Sequence, residues 1–255
     1  MRIDERLLAA LSRDPVLPDY DANSGPESVE GAVDDLRDVF QEFDATIRGK
    51  RVLDYGCGRG RQVVRMAQLG ACVFGLDSRE HVLAAGRDTA HRYGVDAQFG
   101  TCATGAFDIV LSKNSMEHFG DPAGALREMA GFLAPNGRIL ISFSPPWYAP
   151  YGGHMQFFCR VPWAHLLFPE STVMRVRARY RSDGATCHAE VEGGLNKMSV
   201  ARFERLVRAS HLRVAYCRYD TVKRLPVARV PVLRELFINR ISCVLARQDF
   251  LGTEA

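Results

Sequence analysis

No apolar run in this 255-residue chain approaches the roughly 18 to 20 residues a helix needs to cross a bilayer. Cysteine is sparse and unpatterned. Cys57, Cys72, Cys102, Cys159, Cys187, Cys217 and Cys243 are odd in number and include no C-x-x-C pair, so they read as reduced thiols rather than a disulfide framework. No set drawn from His154, Cys159, His165, Cys187 and His188 has a recognised metal-ligand spacing, and no metal is expected. Internal repeats and low-complexity stretches are also missing. The opening "MRIDERLLAALSRD" mixes both charge signs and has no apolar core of signal-peptide length, so a cytoplasmic protein is expected.

A hydrophobic share of 47% and a charged share of 25% fit an ordinary globular chain with a sizeable core. The net charge of +3 is unevenly placed: 16 Lys/Arg stand against 8 Asp/Glu from Ser171 onward, and 17 against 22 before it. One reading of that basic third is an acidic partner. The other is that Arg202, Arg205 and Arg208 form the solvated face of one helix.

From Arg51 the chain alternates short apolar runs with longer amphipathic ones, the rhythm of β-strands and crossover helices. "RVLDY", "CVFGLD", "DAQF", "FDIVLS" and "GRILISFS" read as five successive strands. "RQVVRMAQLG", "REHVLAAGRDTAHRY" and "DPAGALREMAGFLAP" read as the helices between them, the last with an Asp cap and an early Pro. This implies a doubly wound sheet with ligands beyond the carboxyl ends of its strands. The rhythm breaks after Ser144 for about fifty residues and resumes as the helix "SVARFERLVRAS" and the strands "LRVAYCRY" and "FINRISCVLAR", an antiparallel pair closing one edge. Ahead of Gly49, "GPESVEGAVDDLRDVFQEF" reads as an amphipathic helix with Val29, Val33, Leu36 and Phe40 on one face. The expected division is an N-terminal helical appendage over residues 1–48 and a main domain over 49–255, with 145–196 inserted as a lid.

"VLDYGCGRGR" sets Gly56, Gly58 and Gly60 between a strand and a helix, where missing Cβ atoms let a ligand approach the main chain. A dinucleotide fingerprint would need glycine at 61, which is Arg61, and Asp54 would repel a pyrophosphate. Asp-x-Gly-x-Gly-x-Gly instead resembles the first motif of class I S-adenosylmethionine-dependent methyltransferases, in particular their small-molecule (UbiE-like, type 11) group. A sulfonium and an α-ammonium favour a nearby carboxylate. Asp77, ending "VFGLD", is placed to accept both ribose hydroxyls. "FDIVLSKNSMEHFGDP" is similar to the family's fourth-strand segment with its Glu-His.

The resemblance implies a Rossmann-like seven-stranded fold with S-adenosylmethionine as cofactor and S-adenosylhomocysteine as product. It puts Asp54, Gly56, Cys57, Gly58 and Gly60 around the methionine moiety, Asp77 on the ribose and Ser78 beside the adenine. Lys113 and Asn114 face cofactor or substrate. The family's common acidic residue after strand three is missing here, and Thr101 or Cys102 is the substitute contact.

"SPPW" at 144–147 resembles the Pro-Pro-aromatic motif of enzymes that methylate base amines, but it follows strand five, whereas that motif follows strand four. Pro145 and Pro146 therefore read as a stiff exit launching the insertion. Of 24 aromatics, seven (Trp147, Tyr148, Tyr151, Phe157, Phe158, Trp163 and Phe168) fall within 22 residues. That density implies an apolar acceptor pocket, or, for Phe157, Phe158 and Phe168 equally, a satellite core. His154, after Gly152-Gly153, is the first candidate base and His118 the second.

Three functions fit. The first is methyl transfer to O, N or C of a small, partly apolar metabolite, with no specific nucleic-acid or membrane partner. The second is RNA or protein modification through the basic third. The last is S-adenosylmethionine binding in the service of other chemistry.

Overall fold

The computed structural model describes residues 2–13, 29–224 and 230–248. In chain order the strands are β1 (Arg51–Tyr55), β2 (Cys72–Leu76), β3 (Gln98–Gly100), β4 (Phe107–Lys113), β5 (Leu133–Phe143), β6 (Leu212–Thr221) and β7 (Ile238–Arg247). They form one sheet in the order β3-β2-β1-β4-β5-β7-β6, parallel through β5, with β7 antiparallel to both β5 and β6. The order reverses between β1 and β4. Crossovers leave on opposite faces there, opening a crevice at the strands' carboxyl ends.

The helices of the parallel half are α4 (Arg61–Gln68), α5 (Glu80–Tyr93) and α6 (Pro122–Gly131). Asp121 caps α6 by accepting from the Gly124 N–H at 2.9 Å, with Pro122 opening the helix, as the sequence implies. Strand alternation divides the core between the two faces of the sheet. Leu53, Val110, Ile139, Ile141 and Phe143 pack on one side with Phe203 and Val207 of α9 (Val200–Ala209). Val52, Ile109, Leu111 and Leu140 pack on the other with α2 (Asp34–Val39) and α3 (Phe43–Ile47).

Four expectations change. The N-terminal helix is shorter and broken: a turn precedes α2, and Glu42, left-handed at φ 52°, separates α2 from α3. Its apolar face is nevertheless buried, with Val29, Val33, Leu36 and Phe40 all 5% exposed or less; residues 25–28 lie outside the described residues. Strand five begins at Leu133, ahead of the expected Gly137, because Phe107 pairs with Leu133 before the register shifts. The link between the last two strands, "DTVKRLPVARVPVLREL", expected as a short connection, contains α10 (Pro231–Phe237). Finally, Cys217 and Cys243, expected as reduced thiols, face each other in register across β6 and β7 and are joined as a disulfide. Sequence spacing could not show that pairing, which the antiparallel register creates.

Residues 144–199 leave β5 and carry α7 (Ala164–Leu167) and α8 (Glu170–Arg177). The first helix of the chain, α1 (Ile3–Ala10), packs here and not on the sheet. Its Leu8 is buried among Phe158, Val173, Met174 and Tyr180, Asp4 accepts from Thr172, and Glu5 pairs with Arg175. The residues before 49 therefore serve two masters: α1 braces the insertion, while α2 and α3 cover the sheet.

Candidate active site

β1 delivers the chain into a turn in which Gly56, Gly58 and Gly60 all have positive φ, at 85°, 53° and 71°. Their reasons differ. A Cβ on Gly60 would strike the Phe99 ring, and one on Gly56 would come within 2.7 Å of Ser115 Oγ, so these two are set by packing. A Cβ on Gly58 would meet nothing within 4 Å, so its side is open. A ligand can approach the main chain at Gly58.

Two carboxylates flank that opening. Asp54 is fully buried, and neither oxygen has a hydrogen-bond partner among the described residues. Burial pushes its pKa up to about 7, against the pull of Lys113 and with a smaller push from Asp77. A buried acceptor without a donor is costly, and a cationic ligand group removes the cost. Asp77 is fully engaged: Oδ2 accepts the Gly58 N–H at 3.0 Å and Oδ1 the Arg79 N–H at 3.0 Å, while the Arg79 guanidinium grips both oxygens. Burial works to raise this carboxyl, but those hydrogen bonds outweigh it and hold it below the usual range. Cys57 is buried beside the turn, with its thiol pushed up chiefly by burial.

Ser78, Thr101, Cys102 and Asn114 are exposed on the same rim, Asn114 at a positive φ of 49°. Lys113 turns aside to the N-terminal segment, pairing with Asp35 at 2.7 Å and donating to the Ala32 carbonyl at 3.1 Å. Sequence reasoning missed Asp35, because nothing in the chain links it to residue 113. Gly31, Ala32, Asp34, Asp35, Arg61, Gln62 and Lys113 line a cavity of about 430 Å³ that borders the cradle beyond Gly60.

"SPPW" begins directly after β5, and the insertion then meets the segment after β4, where the Asn196 N–H donates to the Glu117 carbonyl. There the His118 and His154 rings meet edge to face with centroids 5.5 Å apart. His118 Nδ1 donates to the Gly194 carbonyl, leaving Nε2 as the lone-pair nitrogen. His154 sits at a positive φ of 55°, with one ring nitrogen on the Pro145 carbonyl and Nε2 buried without a partner among the described residues. Burial, then the neighbouring imidazoles, push His154 down to about 4; burial also lowers His118. Both are neutral at pH 7, each with a lone pair on Nε2 whose protonation burial opposes. Glu117 was not singled out from sequence, although the Glu-His pair pointed at it. It is buried, both oxygens lack partners among the described residues, and burial raises its pKa to about 8.

The aromatic candidates separate. Trp147 is boxed between His165 and His188, at 4.8 Å from each, with Lys197 over its ring. Phe158, 1% exposed, belongs to the satellite core with Leu8 and stacks on Tyr180. Trp163 donates to the Tyr148 carbonyl and meets Phe237 edge to face. Tyr151 donates to the Arg160 carbonyl at 3.2 Å, and Tyr148 is 41% exposed. Among the described residues no group of three or more His, Cys, Asp or Glu side chains is arranged to hold a metal.

This strand order, with a glycine turn after β1 flanked by a buried orphaned carboxylate and an acid ending β2, defines the class I S-adenosylmethionine-dependent methyltransferases. A family model described as a methyltransferase domain matches residues 29–209. The chain belongs to that family. Among curated proteins it resembles ubiquinone biosynthesis O-methyltransferase from Aromatoleum aromaticum, 32% identical over 118 residues, covering 43% of this chain and 50% of that protein. The Aeromonas salmonicida protein of the same name is 36% identical over 102 residues, covering 37% and 43%. The chain thus aligns with about half the length of these relatives. Among solved structures, the Synechocystis magnesium protoporphyrin IX methyltransferase with bound S-adenosylhomocysteine matches with a TM-score of 0.54 at 18% identity, over 86% of this chain and 83% of that one. The [4+2]-cyclase SpnF matches at 0.55 and 16%, over 85% and 82%. At these identities the structures share the fold. No helix among the described residues is long and apolar enough to cross a membrane.

Proposed function

We propose that this chain transfers a methyl group from S-adenosylmethionine to an oxygen, nitrogen or carbon of a small, partly apolar metabolite. The observation that carries the reading is the pair of neutral imidazoles, His118 and His154, in contact where the end of β4 meets the insertion. The cofactor supplies an electrophilic methyl group on sulfur. Asp54 holds the cationic α-ammonium, Gly58 gives it main-chain access, and Asp77 takes the ribose hydroxyls. Ser78 with Thr101 or Cys102 borders the adenine. The insertion excludes water, so positioning and desolvation supply most of the rate. The acceptor's proton goes to Nε2 of His154 or His118, each held as the lone-pair nitrogen by the carbonyl on the other side of its ring. Tyr148, Tyr151 and Trp163 are the remaining candidates for the acceptor wall, since Trp147 and Phe158 are committed to packing.

Action on a macromolecule is disfavoured by the basic third itself, several of whose cations are engaged within the chain. Arg202 donates to the Asn196 carbonyl, Arg218 pairs with Asp220, Arg234 with Glu204, and Arg247 donates to the Ala130 carbonyl. The five free cysteines suit a cytoplasmic setting, whereas the Cys217–Cys243 disulfide counts against it. Because the same fold carries a [4+2]-cyclase, the test is chemical. Methyl-labelled cofactor is supplied with phenols, carboxylic acids, alcohols and amines, and with bulk tRNA and protein. Acceptor-dependent release of S-adenosylhomocysteine with a small molecule supports the reading; label entering only tRNA or protein overturns it.

A further inference from the structure

The segment after β4 that carries Glu117 and His118 is held by one residue near the end of the insertion. Asn196 donates its main-chain N–H to the Glu117 carbonyl at 2.9 Å and its side-chain amide to the Met116 and Phe119 carbonyls, at 2.8 Å each. An amide NH2 has two hydrogens, and both are engaged here. Turning the amide over would set its oxygen against those two carbonyls, so its orientation is fixed. Oδ1 is left buried without a partner among the described residues, a cost that the two amide bonds offset.

The same short stretch reaches both imidazoles. The Gly194 carbonyl accepts from Nδ1 of His118 at 2.5 Å. The Met198 carbonyl accepts the Trp147 N–H at 2.7 Å, which closes the start of the insertion on its end, and two residues before Trp147 the Pro145 carbonyl holds a ring nitrogen of His154. Asn196 lies between these two attachments. Its own carbonyl accepts from Arg202 in the first turn of α9, a helix packed on the sheet through Phe203 and Val207. Residues 194–198 are thus a common frame, with His118 tied to it directly and His154 through the exit from β5.

We infer that Asn196 is a positioning residue that registers His118 against His154, setting the contact in which the acceptor's proton is taken. This rests on the reading of the two histidines as candidate bases. Asn196 itself acts only through them.

The test is NMR of the histidine rings in the protein without acceptor, with the two signals assigned from His118→Gln and His154→Gln. Asn196→Ala removes the amide, Asn196→Leu removes its donors while keeping most of its volume, and both retain the main-chain bond to Glu117. Asp183→Asn is the control, since it breaks the paired hydrogen bonds from Arg177 elsewhere in the insertion. In wild type a nuclear Overhauser contact should join the His118 and His154 rings. Both Asn196 variants should lose it, and each ring should titrate about one pH unit or more closer to the ordinary histidine value as water reaches it. The other groups acting on these rings, His165 and His188 on His154 and Arg79 on His118, stay in place. With a methyl acceptor in hand, kcat should fall about tenfold or more while S-adenosylhomocysteine affinity stays within about twofold. An unchanged ring contact and titration in both Asn196 variants, or the same changes in Asp183→Asn, would overturn the inference and leave the function untouched. If wild type methylates no small molecule, the reading beneath it fails whatever the rings show.

Discussion

Between Asp54 and Gly60 the proposed cofactor-facing groups lie within seven residues of a single strand-to-helix turn, whereas between Ser144 and Ser199 the candidate groups are placed largely by side chains distant in the chain. His154 is set against His118 after β4. His188 is held by Glu170, eighteen residues away. Phe158 is buried by Leu8 of α1. A cradle built from local turns keeps its form whatever covers it. A lid built from distant contacts can be rebuilt for a new acceptor without disturbing the cradle, which is how one fold hosts many chemistries.

The sharpest way to break that contrast is Phe158→Ala. Emptying this site in the satellite core should cost about 3–5 kcal/mol, and the loss should stay local. Amides of residues 155–180 should exchange faster while those of β1, β4 and β5 keep their protection. A uniform loss of protection across sheet and insertion would show that the two regions fold as one unit.

Next in size is His154→Ala, expected to lower kcat about 10²-fold or more with cofactor affinity unchanged. His154→Gln, which hydrogen-bonds but takes no proton, should be nearly as impaired. If Gln restores activity and KM moves instead, His154 orients the acceptor and His118 becomes the base to test.

On the cradle side, Asp77→Ala should weaken S-adenosylhomocysteine by about 2 kcal/mol, the scale of hydrogen bonds to a charged group. Calorimetry against NAD in parallel should show no binding, since Asp54 repels a pyrophosphate. Unchanged affinity in Asp77→Ala would mean that the acid at the end of β2 serves only to hold Arg79.

What the sequence disclosed follows the same division. The βα rhythm, the edge pair, Asp54, the three glycines and Asp77 were legible because strand period, turn chemistry and short fixed spacing are local properties. Lys113 was misdirected because its partner Asp35 lies 78 positions earlier, and only the packing of α2 against the sheet brings the two together. The disulfide needed the register of β6 on β7. The aromatic run could not be divided into pocket and core from composition, since α1, which buries Phe158, is separated from it in the chain by five strands. Glu117 was within reach: a carboxylate beside a candidate histidine after β4 is a pattern, and burial gives it weight.

The smallest effect tests the cradle at its most buried group. With its pKa raised to about 7, Asp54 holds a proton through most of the acidic range when no cation is near. A bound α-ammonium favours the carboxylate, so binding below pH 7 must expel that proton, and affinity falls as pH falls. A surface carboxylate, already ionised above pH 4, would contribute no slope in this window. S-adenosylhomocysteine should bind up to about tenfold more weakly for each unit between pH 7 and 5, with a plateau above 7. Heats measured in buffers of different ionisation enthalpy should show nearly one proton released at pH 6. Lys113 and Asp77 are the charged groups that act on Asp54, and Asp54→Asn should flatten the profile. A flat wild-type profile would mean that Asp54 is already ionised by pairing with Lys113. The cradle would then owe its charge to the same N-terminal segment that Asp35 anchors, and its independence from distant contacts would be lost.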